Sequence, residues 1–390
     1  MAISAKQLFR VIAAIVTVQI GFGCYGVLLK KFNNDNPFNP VVFSFYRDIG
    51  CFFVLFAGAR LLEGHVKWPA LRELPLFILM GVSGCWANQL FYLMGNFYTT
   101  ADIASIWQPA IPVWTFILSV LFQVEAPPPL RKLHGAVKLL GVAFAIGGAV
   151  VMTLGKPTVS CAGLDESACT DGEHKHACQW DSSKTKCEAT AEKSVLLGNM
   201  FLLINTLSTA VYIILQKRFV FAKEADRTGG GAEQMLGAYS WSERPLLVTA
   251  WSYLFGAITM ILTCVIGYVG RIEMFEFRGS TDTFAIPLST LLPLFYAIFV
   301  SSALCYGLIT YANKYLDPSV VSAFWPLQVP IAVLLSLAVG LGSITSTQGL
   351  GAGLIFAGLL CISFSERRKW SLQKKEEQPL SEPLVQEKMI

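Results

Sequence analysis

The sequence predicts an all-α polytopic membrane protein whose ten transmembrane helices form two inverted five-helix repeats. Three observations lead to this fold class: the composition, the number of apolar blocks and an internal repetition. Of the 390 residues, 54% are hydrophobic and 14% are charged, whereas about a quarter of the residues in soluble domains are charged. The composition therefore excludes a soluble globular chain.

The apolar blocks give the helix count. A hydrocarbon core of about 30 Å requires about 20 apolar residues per helix. Ten blocks meet this length: 9–29, 41–61, 74–97, 101–122, 135–154, 195–219, 246–269, 287–311, 319–341 and 348–364. The first block is longer than the apolar region of a signal peptide and lacks a convincing cleavage site, so we expect a retained helix and no cleaved targeting segment.

The charges indicate orientation. With a cytosolic N terminus, 20 of the 30 Lys and Arg residues lie on the cytosolic side and nine on the other, while Arg47 lies in the membrane. The positive-inside rule then predicts that both termini are cytosolic. None of the four histidines lies in an apolar block, so we expect that the protein binds no cofactor or metal and is not an enzyme. Because the basic residues lie in short clusters between blocks, we expect no nucleic-acid partner.

The chain divides into a first repeat (1–154), a loop outside the cytosol (155–194), a second repeat (195–365) and a disordered cytosolic tail (366–390). The loop carries four cysteines at near-even spacing: Cys161, Cys169, Cys178 and Cys187. Outside the cytosol disulfides can form, so we predict two bridges, of which three connectivities are possible. A metal site that also uses His174 and His176 is the alternative, although the CxxC pairs of structural zinc sites are missing.

Internal repetition gives the architecture. CYGVLLKKF matches VYIILQKRF, which places Tyr25 on Tyr212 at an offset of 187. ASIWQPAIPV matches SAFWPLQVPI, which places Trp107 on Trp325 at an offset of 218. Because five is an odd number, the second copy of a five-helix unit inserts upside down. Such inverted repeats are typical of secondary transporters, whose binding site lies near the midplane between the repeats.

Three segments carry a family resemblance: VVFSFYRDIGCFFVLFAGARLLEG, NFYTTADIASIWQPAIPVWTFILSVLF and YANKYLDPSVVSAFWPLQVPIAVLLSLAVG. They resemble the drug/metabolite transporter superfamily with two EamA-type units, and within it most closely the plant Walls-Are-Thin-related group of amino-acid and auxin exporters. The resemblance covers nearly all of the helical region. The four-cysteine loop departs from the plant pattern, and the second half diverges more than the first.

Two adjacent charges, Arg47 and Asp48, are the candidates for gating or coupling. They lie about two turns into the second block, where an ionisable group is costly and marks function. Neighbouring residues on a helix point about 100° apart, so we expect that both do not face one small site. The resemblance implies a structural or gating role for Arg47, and the alternatives are solute contact and snorkelling toward the near interface.

Two further acids and a glycine pattern have structural interpretations. Asp102 near the start of the fourth block and Asp317 before the ninth are typical of helix N-caps, with proton carriage as the alternative. In the tenth block Gly349, Gly351 and Gly353 contain a G-x-x-x-G spacing. This spacing predicts close approach by a helix of the same bundle rather than dimerisation.

Prolines at matched positions predict interruptions in blocks four and nine, because proline has no backbone N–H to donate. These prolines are Pro109, Pro112, Pro326 and Pro330. Interrupted helices in corresponding positions of two halves indicate a transporter site. The polar and aromatic side chains expected there are the candidate solute-binding residues: Tyr25, Asn88, Tyr92, Trp107, Gln108, Asn205, Tyr212, Tyr306, Trp325 and Gln328. We expect Trp107 and Trp325 to form paired walls, and core packing is their alternative role.

The sequence thus predicts a multi-pass carrier in the lipid bilayer of the plasma membrane or an endomembrane, for which a monomer suffices. It moves a small organic solute, an amino acid or related metabolite, by alternating access. Because the helices offer only Asp48 and Asp102 as acids, facilitated diffusion or exchange is favoured over proton coupling. A carrier of nucleotide sugars or phosphorylated metabolites is one alternative, and a receptor or scaffold without transport is another.

Overall fold

The computed structural model describes residues 5–33, 39–64, 66–98, 107–125, 132–154, 178–181, 186–189, 195–221, 241–272, 284–338 and 345–377. In the first repeat, α1 spans Ala5–Asn33, α2 Pro40–Leu62, α4 Ala110–Leu121 and α5 Leu133–Leu154. Helix α3 is continuous but composite, with α-helical turns over Leu74–Gly81, a π-helical segment over Val82–Ala87 and α-helical turns over Asn88–Tyr98.

The second repeat has the same order. Helix α6 spans Val195–Leu215 and ends in a π-helical segment over Gln216–Val220, α7 spans Pro245–Val269 and α10 spans Ser346–Glu377. Helix α8 comprises Leu288–Thr290, Leu291–Tyr296, a π-helical segment over Ala297–Leu304, and Cys305–Tyr315. Helix α9 comprises Pro318–Ala323, a 3₁₀ turn over Trp325–Leu327, and Gln328–Ala338.

The helices confirm the predicted fold class. In the part of the chain that the structure describes, nine helices are long and apolar enough to cross a membrane, and α4 is a shorter apolar helix of 12 residues. Residues 99–106, which include Asp102 and the predicted start of the fourth helix, lie outside the described residues. Helix α10 continues to Glu377, past the predicted start of a disordered tail at 366, because Leu, Gln, Lys and Glu are good helix formers.

Two of the four predicted prolines, Pro109 and Pro326, lie at breaks in these helices, whereas Pro112 and Pro330 lie in the first turn of the α-helical segments that follow and do not interrupt them. In α9 the 3₁₀ turn that contains Pro326 separates two α-helical segments. In α4 the regular helix begins at Ala110, directly after Pro109. Each break frees carbonyl groups from the helical ladder in the interior of the bundle.

The third helix of each repeat widens into a π-helical segment, Val82–Ala87 in α3 and Ala297–Leu304 in α8. At the offset of 218, Ser83 corresponds to Ser301 and Asn88 to Tyr306. Such wide turns often occur at functional sites. Their occurrence at matched positions brings Asn88 and Tyr306 into the centre of the bundle.

Helices α5 and α10 pack through glycines, although not through the predicted pair. A Cβ atom on Gly148 would lie 2.6 Å from the Gly351 carbonyl oxygen, and one on Gly358 would lie 2.5 Å from the Gly141 carbonyl oxygen. Around Gly349 and Gly353 the space is open among the described residues. The prediction for the G-x-x-x-G pair is therefore wrong, because the helix rotation turns Gly351 and Gly358 toward α5.

The loop between α5 and α6 contains two antiparallel strands, β1 (Cys178–Asp181) and β2 (Lys186–Ala189). Trp180 pairs with Cys187 in their register. The hairpin adds a short element of regular structure to the segment that we predicted to be a loop. The side chains of Cys161, Cys169, Cys178 and Cys187 lie outside the described part of the structure, so the disulfides stay a prediction.

The bundle has two ends. Leu8 near the start of α1 and Glu366 near the end of α10 line the same small hollow, so both described chain ends lie on one side. We call this side the terminal face. The opposite side, where α5 ends and α6 begins, is the hairpin face.

Candidate functional site

An ion pair lies inside the first repeat. Arg47 donates from Nε (2.9 Å) and Nη2 (2.7 Å) to Oδ1 of Asp48. Its Nη1 donates to Oε1 of Gln89 in α3, at 2.7 Å. Arg47 is 6% exposed and Asp48 is fully buried. The second carboxylate oxygen of Asp48, Oδ2, has no hydrogen-bond partner among the described residues.

This geometry corrects two expectations. Adjacent residues can share one site because the long Arg47 side chain curves back to its neighbour, although their Cβ atoms point about 100° apart. Snorkelling is wrong as well, because the guanidinium is held by Asp48 and Gln89 in the interior. A buried pair of this kind compensates both charges, and the loss of either partner leaves the other uncompensated.

Amide side chains from both repeats meet beside this pair. Asn205 of α6 donates from Nδ2 to the Asn88 carbonyl oxygen (2.6 Å) and to Asn88 Oδ1 (2.9 Å). Asn88 donates from Nδ2 to Thr209 Oγ1 at 2.9 Å and to Tyr306 Oη at 3.4 Å. Gln108, just before α4, donates to Asn205 Oδ1 at 3.2 Å. Four of the predicted site residues thus form one network.

Aromatic rings surround the network. Tyr306 packs edge to face against Phe22 at 6.0 Å and against Tyr253 at 5.3 Å between ring centroids, and its ring is 6.1 Å from that of Tyr212. Trp325, in the broken turn of α9, is 8% exposed and lies 6.4 Å from Phe22. Tyr306 is therefore the point where the amide network and the aromatic cluster meet.

The remaining predicted residues are more dispersed. Tyr25 lies beside Arg47 and close to Tyr92. Trp107 donates from Nε1 to Asn199 Oδ1 at 2.7 Å, near the hairpin-face end of α6. Gln328 is partly buried and begins the second helical segment of α9. Trp107 and Trp325 correspond in the repeats, but their described contacts differ, since one binds α6 and the other packs in the aromatic cluster.

A second charged network lies at the terminal face. Lys138 of α5 has its Nζ atom within 4 Å of three carboxylates: Glu125 (3.7 Å), Asp317 (3.9 Å) and Glu366 (3.6 Å). Lys369 of α10 donates to Asp317 Oδ2. The network joins the end of α4 and the start of α5 in the first repeat to the start of α9 and the end of α10 in the second. We call these five residues the terminal network.

The terminal network changes the predicted role of Asp317. This residue stands at the N-cap position of α9, but its side chain accepts no hydrogen bond from the helix. Glu125 caps instead, accepting from the backbone nitrogen (2.9 Å) and Oγ (2.7 Å) of Ser319. Burial opposes ionisation of Asp317, but attraction by Lys369 and Lys138 outweighs it and lowers the pKa of this carboxyl well below its usual range.

Sequence reasoning missed Gln19 and assigned no site role to Glu125, Lys138 or Glu366. Gln19 carries a visible signal, since it is an amide in the apolar run of α1. The terminal network carries no local signal, because its members are separated by up to 244 positions, from Glu125 to Lys369, and meet only through helix packing.

Comparisons with known proteins agree with this architecture. A WAT1-related protein of Arabidopsis thaliana is 25% identical over 381 residues, covering 95% of this chain and 86% of that protein. Protein WALLS ARE THIN 1 of Arabidopsis thaliana is 27% identical over 376 residues, covering 93% and 85%. One crystal structure has a TM-score of 0.62 at 12% identity, covering 91% of this chain and 97% of its own, which shows a shared fold alone.

The family model described as the EamA-like transporter family matches residues 9–154 and 236–364. The two matches contain most of the described helices, with the Arg47 pair in the first and Tyr306 and Trp325 in the second. The chain belongs to the EamA-like transporter family and is a multi-pass membrane protein of a kind that transports small solutes.

Proposed function

We propose that this protein is a secondary carrier for an amino acid or a related polar metabolite, which it moves by alternating access between its two repeats. The observation that carries the proposal is the buried Arg47–Asp48 pair. Asp48 Oδ2 accepts no hydrogen bond from the described residues, and it lies beside a guanidinium. An ammonium group binds such a carboxylate oxygen and a carboxylate binds a guanidinium, so the pair suits a zwitterion.

The same geometry disfavours phosphorylated solutes. A polyanion requires several unpaired cations, because each buried negative charge must be compensated. Arg47 brings an acid with it, so the pair adds no net charge to the site.

Alternating access requires that each face can close. In our proposal the terminal network closes the terminal face, because it ties α4 and α5 to α9 and α10 through buried charges. Opening toward that face separates Lys138 from at least one carboxylate of the other repeat. We place the terminal face in the cytosol on the distribution of Lys and Arg.

We further propose that transport proceeds by facilitated diffusion or exchange and is not coupled to protons. Proton coupling needs a buried group that gains and loses its proton during the cycle. In our proposal the Arg47 guanidinium, 2.7 Å from Asp48, stays paired with this carboxylate throughout the cycle, so that Asp48 does not carry a coupling proton. Net flux then follows the solute gradient.

The test is uptake into proteoliposomes of twenty radiolabelled L-amino acids, with protein-free vesicles as background. We expect saturable uptake of at least one of them without an imposed pH gradient. Absence of flux for all twenty contradicts the proposed substrate class and favours the alternative of a receptor or scaffold. Uptake that concentrates the solute and collapses with a protonophore contradicts the coupling proposal.

A double variant that removes both charges separates a loss of solute binding from a loss of folding stability. Arg47→Gln leaves Asp48 uncompensated, which costs about 3–5 kcal/mol for a buried pair. The double variant Arg47→Gln/Asp48→Asn removes both charges, and we expect it to recover most of the stability while uptake stays lost. Wild-type uptake by the double variant contradicts a direct role of the pair in solute binding.

A further inference from the structure

We infer that Gln19 of α1 contacts the transported solute and recognises one hydrogen-bond acceptor and one donor on it. This inference deepens the proposed function and rests on it. Gln19 is fully buried. Neither its Nε2 nor its Oε1 has a hydrogen-bond partner among the residues that the structure describes. The amide thus presents an unused donor and an unused acceptor within a membrane span.

The position of Gln19 directs it toward the broken turn of α9. Residues three and four positions apart lie on one face of a helix. Phe22, three positions on, lies 6.4 Å from the Trp325 ring. Gly23, four positions on, packs against Ile331 of α9, where an added Cβ atom would lie 2.8 Å from the Ile331 side chain. Gln19 therefore lies on the α9-facing side of α1, one turn from the aromatic cluster.

An unpaired amide in this place needs a reason. Burial of a polar group without a partner destabilises a protein, and buried polar groups nearly always have partners. Methionine has a similar shape and no such penalty. A solute that binds during part of the cycle supplies the missing partners and explains why glutamine stands here.

The repeat-related position shows a contrast. At the offset of 187, Gln19 corresponds to Thr206 of α6, which is also fully buried. The Thr206 hydroxyl donates to the Leu203 carbonyl oxygen of its own helix at 3.0 Å. The second repeat thus satisfies its polar group internally, whereas the first repeat leaves its own open.

The two sides of the centre differ in the same way. On the side of α3, α4 and α6, the amides of Asn88, Gln108 and Asn205 bind one another. On the side of α1 and α9, Gln19 lies on the same face of α1 as Phe22, whose ring is 6.4 Å from that of Trp325. We therefore place the part of the solute that does not bind the Arg47–Asp48 pair on the α1–α9 side, with one donor and one acceptor on the Gln19 amide and an apolar part against the rings.

The test compares Gln19→Met with the matched variant Thr206→Val, using the amino acid with the highest wild-type uptake among the twenty. Loss of two neutral hydrogen bonds predicts a rise in KM of about 10- to 30-fold for Gln19→Met. We expect Thr206→Val to change KM less than about twofold.

Thermal unfolding without solute provides an independent readout. Because Gln19→Met removes an unpaired buried amide, its midpoint should equal or exceed that of the wild type. A monodisperse Gln19→Met protein with wild-type KM overturns this inference and leaves the proposed function standing. Unfolding of Gln19→Met overturns it as well, because the amide must then have a structural partner. Lack of uptake by the wild type contradicts the proposed function itself.

Discussion

Replacement of Lys138 by methionine tests whether the terminal network acts as one electrostatic unit. The Nζ atom lies 3.6–3.9 Å from three carboxylates, and the side chain is 12% exposed. At an effective dielectric constant of about 20, each attraction is worth about 4–5 kcal/mol before desolvation. Desolvation of the ammonium offsets most of this sum, and removal of one partner of a buried pair typically costs about 3–5 kcal/mol.

We expect Lys138→Met to lower the free energy of unfolding by about 3–5 kcal/mol. Lys369 retains its bond to Asp317, which keeps the loss at the lower end. The measurement is unfolding by sodium dodecyl sulfate in mixed micelles, followed by tryptophan fluorescence. Lys314→Met is the matched control, because Lys314 pairs at 3.1 Å with Glu243, which is 81% exposed.

An exposed pair of this kind contributes less than about 1 kcal/mol. The difference between the two lysine variants therefore isolates the effect of burial and of the three shared carboxylates. Losses of less than about 1 kcal/mol in both variants would refute the reasoning, because the terminal network would then behave as ordinary surface charge and could not hold the face closed.

Three further predictions follow from other parts of the structure. Gly148→Ala should destabilise the fold by about 1–3 kcal/mol, because the new Cβ would meet the Gly351 carbonyl, whereas Gly147→Ala, in open space, should be neutral; thermal unfolding checks both. Asp317 has a folded-state pKa below its unfolded value of about 4, so its contribution is complete above pH 4 and is lost as the pH falls below it. Asp317→Asn should accordingly destabilise at pH 7 and lose its effect toward pH 2, and an effect that grows on acidification contradicts this sign. Maleimide mass-tagging should label the four loop cysteines, Cys161, Cys169, Cys178 and Cys187, only after reduction. Labelling of all four before reduction favours the metal or free-thiol alternative.

Much of the fold could be predicted because the bilayer constrains sequence locally. Every backbone polar group in hydrocarbon must be satisfied within the chain, so each crossing is a run of about 20 apolar residues that can be read directly. Proline lacks a backbone N–H and so disrupts the helix at its own position, which is why Pro109 and Pro326 predicted the helix breaks correctly. Asn88 and Tyr306 could be chosen as candidates because polar side chains in an apolar bundle need partners.

The pairings could not be predicted, because they depend on how each helix rotates against distant neighbours. Glu125 caps Ser319 across 194 positions, and Lys138 reaches Glu366 on another helix. The same rotation decided which glycines meet α5.

The sequence by itself determined the number, order and symmetry of the helices, since apolar length and proline act locally. Only the tertiary structure decided that Arg47 pairs with Asp48, that Glu125 takes the cap expected of Asp317, and that Gln19 has no partner among the described residues. These outcomes depend on which side chains meet in a desolvated interior, where an unmade bond is costly and a made one compensates charge.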